Sequence, residues 1–338
     1  MKRALLTLAA PLIASLGFAS QPATAQSTNL ESRFDTVLGT DLRAPQSFEV
    51  SYDSALERQI AQLADGSSGR IGVAAIDLRT GYEVMVLGDQ RFPMASTSKI
   101  AVAATFLEGV EQGRWSLTSE FPLLVPMQSA RFSTPTAPVR KGNYMQAIDL
   151  IEIMITRSSN AATDALLHVV GGPQAVNNWA LRNGFANFSI DRDIATLVRD
   201  DGEFDPANHI DLRDSATPRD MARMLAALQN GQVLSAQSRN VILSAMERTR
   251  TGKRRIRGMI PASATVLNKT GSLNNTSSDI GIIRGPGGQA IAVAIYVTGQ
   301  GSKPERERKI ASIARALYDG MVASGGGRTW TSATYPGG

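Results

Sequence analysis

Three short motifs in this sequence contain the residue types of nucleophilic serine chemistry. They are Ser96-Thr97-Ser98-Lys99, Ser158-Ser159-Asn160 and Lys269-Thr270-Gly271. A serine hydroxyl is a weak nucleophile until a base takes its proton, and lysine can be that base when burial lowers its pKa. The first motif therefore predicts a covalent mechanism with Ser96 as nucleophile and Lys99 as its base.

Each motif alone also has an ordinary structural explanation. The first fits a capped helix start with a surface lysine, the second fits a helix N-cap, and the third fits an edge-strand lysine before a glycine bulge. The residues after Ser96 favour the chemical interpretation, because the run from Ile100 to Leu107 is apolar almost all round and predicts a buried helix. Lys99 lies one turn after Ser96, so it is drawn toward the interior.

The elements that must position these motifs are predicted from hydrophobic periodicity. Helix and strand patterns occupy the first part, helical patterns the middle, and strands with a closing helix the end. This order predicts an α/β (α+β) fold with one sheet built from both chain ends and an all-helical insertion. The expected sheet part covers about 51–90 and 260–323, and the expected helical part covers about 91–259.

Both termini are predicted to lie outside the folded domain. Residues 1–25 contain Lys2 and Arg3, an apolar run and small residues before a cleavage point, which is typical of an export signal. The run is too short for a membrane span, so a periplasmic or secreted protein is expected. Residues 26–50 are interpreted as a linker, 51–323 as the catalytic domain and 324–338 as a flexible tail.

Composition narrows the possible functions. The chain has no cysteine, which excludes a thiol nucleophile and disulfides. His168 and His209 lie far apart without metal-ligand spacing, so neither a metal nor another cofactor is expected. A formal net charge of +5 is too weak to indicate a nucleic-acid partner. We expect a monomer that acts on a small molecule.

The three motifs occur in the order known for penicillin-interacting serine enzymes. Residues 91–99 and 154–160 resemble the segments around the nucleophile and the central loop of class A β-lactamases, with Ser159 in place of the usual aspartate. The Lys269 to Ser272 strand and residues 296–299 extend the similarity over nearly the whole mature length. The resemblance implies a β-lactamase/transpeptidase-like fold with an antiparallel sheet flanked by helices.

The resemblance also implies residue roles. Ser96 would attack the lactam carbonyl, and the backbone N–H groups of Ser96 and Ser272 would form the oxyanion hole. Lys99, Ser158 and Lys269 would pass the proton to the departing nitrogen. Substrate-binding roles fall on four residues: Asn160, Thr270, Gly271 and Ser272.

One loop departs from the family pattern. Class A enzymes have a glutamate in an E-x-x-x-N motif that activates the water for deacylation, but here those two places fall on Ile194 and Val198. Asp193 and Glu203 are the candidate replacements from this longer loop, while Arg192 and Asp214 match the ion pair that closes it. Ser278 occupies a position where many relatives have arginine for the substrate carboxylate.

Three functions remain open at this point. The first is a β-lactamase that turns over through a Ser96 acyl-enzyme. The second is a D,D-peptidase or esterase-like serine hydrolase acting on a peptidoglycan-like peptide or an ester. The third is a penicillin-binding sensor that stays acylated because deacylation is slow.

Overall fold

The fold centres on a five-stranded antiparallel sheet. The computed structural model describes residues 54–66 and 68–323, and the predicted signal, linker and tail lie outside them. The strands come from both ends of the described chain and lie in the order β2-β1-β10-β9-β8. Their bounds are Ile71–Asp77 (β1), Glu83–Val86 (β2), Thr265–Leu273 (β8), Thr276–Arg284 (β9) and Ala290–Thr298 (β10).

Alternating side chains let this sheet pack on both faces. Along β10, Ala294 and Tyr296 pack with the central helices, whereas Val293 and Ile295 pack with helices from the chain ends. A strand directs successive side chains to opposite faces, so a continuously apolar strand must be covered twice. The end helices are Ala55–Leu63 (α1) and Lys303–Leu317 (α9), and a π turn, Tyr318–Ala323, follows α9. The fold class predicted from the sequence is confirmed.

The segment between β2 and β8 contains the remaining helices. These are Lys99–Glu111 (α2), Ala147–Thr156 (α3), Asn160–Val170 (α4), Pro173–Arg182 (α5), Ile194–Arg199 (α6), Pro218–Asn230 (α7) and Ala236–Glu247 (α8). It also has strands that the sequence did not predict, namely Phe92–Pro93 (β3), Glu120–Pro126 (β4), Val139–Gln146 (β5), Phe188–Ser189 (β6) and Ser215–Ala216 (β7). In this hairpin β4 is uniformly half-buried over most of its length and β5 is mostly exposed, so neither strand has the alternation of buried and exposed residues that marks a strand in a sequence.

Helix α2 is the central element of the helical part. Every residue from Lys99 to Leu107 is buried, as its uniform apolarity predicts. Helices α4, α5 and α8 all contact it, and the 3-10 turn Ala95–Ser98 just before it contacts β8. The first residue of α2 therefore lies where the helical part meets the sheet. Within the described residues, no helix has the length and apolarity needed to cross a membrane.

Candidate active site

Ser96 lies on a short 3-10 turn, Ala95–Ser98, that leads directly into α2. Ala95, just before it, has a left-handed backbone with φ of +49°, a conformation that costs a non-glycine residue energy and is often found at functional turns. The hydroxyl of Ser98 donates to Ala95 O (2.8 Å) and stabilises the turn. The turn packs tightly on β8, because a Cβ at Gly271 would lie only 2.6 Å from Met94 O.

Lys99 is fully buried one turn after Ser96. Its Nζ donates to Ser158 O (2.8 Å), to Ser158 Oγ (3.3 Å) and to Asn160 Oδ1 (2.8 Å). Burial lowers the pKa of Lys99 to about 7, against the opposing effect of the negative charge of Asp164. A substantial fraction of this lysine is therefore neutral near pH 7 and able to accept a proton.

Ser158 connects the two buried lysines. Its backbone is left-handed, with φ of +59°, just before α4 begins at Asn160. Lys269, on β8, donates from Nζ to Ser158 Oγ (2.9 Å) and to Thr270 O (2.8 Å). Burial, reinforced by the positive charge of Lys99, lowers the pKa of Lys269 well below its ordinary value. The serine hydroxyl thus lies between two amines and can pass a proton along the chain.

The outer part of β8 presents hydroxyl groups beside these lysines. Thr270 Oγ1 lies 2.7 Å from Thr251 Oγ1, and Ser272 is exposed at the end of the strand. Arg255 donates from Nη2 to Ser272 Oγ (2.6 Å) and from Nη1 to Gly271 O (2.6 Å) and Ser278 O (2.7 Å). A guanidinium therefore supports the strand edge, although Ser278 itself offers no cation. The sequence reasoning did not identify Arg255.

The loop at Ile194 contains the start of a short helix. Ile194, the first residue of α6, is buried, whereas Val198 is half exposed. Asp193 Oδ1 accepts from Thr196 N (2.6 Å) and so acts as the N-cap. Asp164, on α4, accepts from the backbone N–H groups of the first two residues of α6, Ile194 (2.7 Å) and Ala195 (2.9 Å). The carboxylate of Asp164 was the second group that the sequence reasoning missed.

The lengthened segment after α6 uses its carboxylates for structure. Glu203 pairs with Arg213 (2.6 Å), so neither of the two predicted replacement bases has a contact that directs it to Lys99. Asp201 accepts from Asn274 N (2.8 Å) and Asp205 from Asn275 Nδ2 (2.8 Å), which ties the segment to the turn between β8 and β9.

The predicted ion pair between Arg192 and Asp214 is present at 2.6 Å. Asp214 Oδ1 also accepts from the backbone N–H groups of Asp191 (2.9 Å) and Arg192 (3.2 Å). One buried carboxylate thus closes the base of the loop with three donors.

Among the described residues no group of three His, Cys, Asp or Glu side chains could hold a metal ion. The two histidines lie apart, His168 on α4 and His209 stacked on Phe204 with ring centroids 4.1 Å apart. The donors around Ser96 are hydroxyl, amide and amine groups, which suit an organic substrate with a carbonyl and a carboxylate.

Comparisons with known proteins agree with this geometry. The model of the β-lactamase enzyme family matches residues 55–321. Beta-lactamase SME-1 of Serratia marcescens is 30% identical over 266 residues, covering 77% of this chain and 87% of that protein. The crystal structure of a β-lactamase from Chitinophaga pinensis has a TM-score of 0.69 at 26% identity and covers 79% of this chain and 99% of its own. An ancestral class A β-lactamase has a TM-score of 0.67 at 33% identity, with 78% and 99% covered.

Proposed function

The chain belongs to the β-lactamase enzyme family, and we propose that it is a serine hydrolase that opens β-lactam amides through an acyl-enzyme on Ser96. One observation carries the proposal: Ser158 Oγ accepts from two buried lysines, Lys99 and Lys269, beside the turn that presents Ser96. A helix start with a purely structural role would not need two buried lysine amines bound to one hydroxyl, because removing a charge from water is costly.

Acylation uses these groups in sequence. Neutral Lys99 takes the proton of Ser96 while Oγ adds to the lactam carbonyl, and the N–H groups of Ser96 and Ser272 stabilise the oxyanion. As the C–N bond breaks, the proton passes from Lys99 through Ser158 Oγ to the departing nitrogen. Lys269 keeps Ser158 in place for this transfer.

Substrate binding relies on the remaining donors. Lys269, Thr270 and Ser272 suit the substrate carboxylate, and Arg255, which is paired with Glu307, supports the hydroxyl of Ser272 from behind the strand. Asn160 Oδ1 is bound to Lys99, so its Nδ2 is the group that can donate to the acylamide carbonyl of the substrate.

Deacylation is the slower half-reaction in this proposal. A water molecule needs a base, and buried Ile194 has no proton acceptor where the family glutamate is expected. Lys99 would then serve a second time, and the acyl-enzyme would accumulate. The same observation favours a second candidate, a penicillin-binding sensor that remains acylated.

The deciding experiment combines hydrolysis of a chromogenic cephalosporin with mass spectrometry of the protein. We expect a burst, a slow steady state and an adduct on the peptide containing Ser96. A permanent adduct without turnover would indicate the sensor. Absence of both turnover and adduct, with cleavage of a D,D-peptide or an ester, would indicate the related hydrolase and refute β-lactam opening.

We further propose that residues 1–25 direct export, which cell fractionation and N-terminal sequencing of the mature protein would test.

A further inference from the structure

Asp164 is a buried carboxylate on the same helix as Asn160, the residue whose side chain binds Lys99. It lies one helical turn after Asn160 on α4, so both side chains share one face of the helix. Asn160 binds Lys99 Nζ (2.8 Å), and Asp164 is 3% exposed. Its two oxygens accept from Ile194 N (2.7 Å) and Ala195 N (2.9 Å) at the start of α6.

Capping α6 does not by itself require a charge at this position. Neutral Ser, Thr or Asn side chains satisfy the first N–H groups of helices as well as Asp does, and Asp193 already caps the same helix. A buried carboxylate costs more than a neutral cap unless a positive charge offsets it. Burial raises the pKa of Asp164 to about 7, and the positive charge of Lys99 opposes that effect. The carboxyl group is therefore placed to respond to the charge of Lys99 as well as to cap α6.

The other charges around this pair act in known directions. Asp164 raises the pKa of Lys99 against the effect of burial. Asp193 raises the pKa of Asp164, and Lys99 lowers it. On the β8 side, Asp279 raises the pKa of Lys269, whereas Arg255 lowers it. Each buried lysine thus has a buried carboxyl group that favours its protonated form.

Resting on the acyl-enzyme chemistry proposed above, we propose that Asp164 is a positioning residue that controls the charge of Lys99, so that a carboxylate on the scaffold helix α4 does part of the work of the missing loop glutamate. In deacylation, Lys99 takes a proton from water as the hydroxide adds to the acyl carbonyl, and Asp164 stabilises the ammonium formed. The ester bond then breaks, and Ser96 Oγ recovers the proton from Lys99.

The direct test is an NMR titration of the lysine Cε signals, which needs no substrate. In Asp164→Asn we expect the midpoint of Lys99 to fall below its wild-type value of about 7, because the variant removes the negative charge that opposes the effect of burial. Asp193→Asn is the matched control, since it removes a neighbouring carboxylate of the same helix start but keeps a capping side chain. An unchanged Lys99 midpoint in Asp164→Asn, or an equal fall in both variants, would overturn the proposal.

A kinetic test separates charge from mere support of the loop. The acid limb of the acylation rate should move to lower pH in Asp164→Asn, and Asp164→Glu, which keeps the charge, should return it toward the wild-type position. A uniform loss of rate at every pH would mean a structural role only and would refute the inference. If no variant, wild type included, is acylated, the proposed function fails while the titration still tests Asp164.

Should Asp164→Asn not fold, the wild-type protein supplies the test. Both groups titrate near pH 7, and loss of the Asp164 proton makes loss of the Lys99 proton less favourable, so both NMR titration curves should be broader than a single-site curve. Two single-site curves would contradict the coupling.

Discussion

The two sides of the site use charged side chains in opposite ways. On the acylating side, Lys99 and Lys269 direct their amines at one hydroxyl, Ser158 Oγ, where the charges can act on a substrate. On the loop side, Asp193 caps a helix and Asp214 binds Arg192, so these carboxylates hold backbone in place. The charged side chains are thus available for catalysis on the acylating side and hold the backbone in place on the loop side. We expect changes on the first side to affect acylation and changes on the second to affect deacylation.

The largest expected effect comes from Ser96→Ala. Removing the nucleophile leaves no atom to acylate, so covalent labelling by a penicillin should disappear, as measured by mass spectrometry of the intact protein. Ser98→Ala is the matched control, because its hydroxyl belongs to the same turn but donates to the backbone oxygen of Ala95. Labelling of Ser96→Ala at the wild-type rate would place the nucleophile elsewhere.

Lys99→Ala should slow acylation by roughly 10²–10⁴, the usual contribution of a general base, without preventing folding. In the wild type the rate should rise with pH through about 7, because burial brings the pKa of Lys99 to that value and the neutral form accepts the proton. Stopped-flow labelling across pH measures both effects. Lys141→Ala, at an exposed position of β5, is the control. A pH-independent rate would argue against Lys99 as the base.

Ile194→Glu tests the loop side directly. A carboxylate there would lie at the start of α6, whose backbone N–H groups Asp164 binds. Two neighbouring carboxylates cannot both stay ionised easily. We therefore expect faster deacylation, by about tenfold or more, only when Asp164→Asn accompanies the change. Loss of the accumulated adduct over time, monitored by mass spectrometry, measures this rate. Ile194→Leu is the control, and an equal rate in the single and double variants would contradict the repulsion.

The smallest effect is expected from Arg192→Ala. Breaking its pair with Asp214 should open the loop to limited proteolysis, while the acylation rate of Ser96 changes only a few-fold, since the lysines do not depend on that pair. Arg182→Ala removes an ion pair with Glu108 that is more exposed, so it should change neither property. A collapse of acylation in Arg192→Ala would show that the two sides are not separable.

Residue type and spacing were the signals that led from the sequence to the candidate site. Ser96, Lys99, Ser158 and Lys269 belong to motifs, and the apolar run after Lys99 indicated that the lysine is buried. The structure brings the amines of Lys99 and Lys269 to Ser158 across β8, α2 and the turn before α4.

Arg255 could not be found in this way. It lies in a basic stretch with Lys253, Arg254 and Arg257, and nothing in the sequence says which of these side chains turns inward. Folding buries Arg255 to 3% exposure against β8.

Asp164 did leave a signal in the sequence. It is an acidic residue inside an apolar helical run, and because it comes four positions after Asn160 it must face the same side of the helix as Asn160. The spacing of four residues between Asn160 and Asp164 therefore predicts that the carboxylate lies on the site-facing side of α4.

The buried charges of the site also determine how the free energy of unfolding changes with pH. Lys99 has a pKa of about 7 in the folded chain and 10.5 as its ordinary value, so the unfolded state binds more protons in between and stability rises with pH there. For Asp164 and Asp279, burial raises the pKa to about 7 and about 6 from 3.8, so the folded state binds more protons and stability falls as pH rises through that lower range. The combined contribution of these groups has its minimum near pH 7. Burial of these groups therefore lowers the free energy of unfolding most at the pH where Lys99 is half neutral. Replacing Lys99 by a methionine of similar length should remove the part of this loss that comes from Lys99.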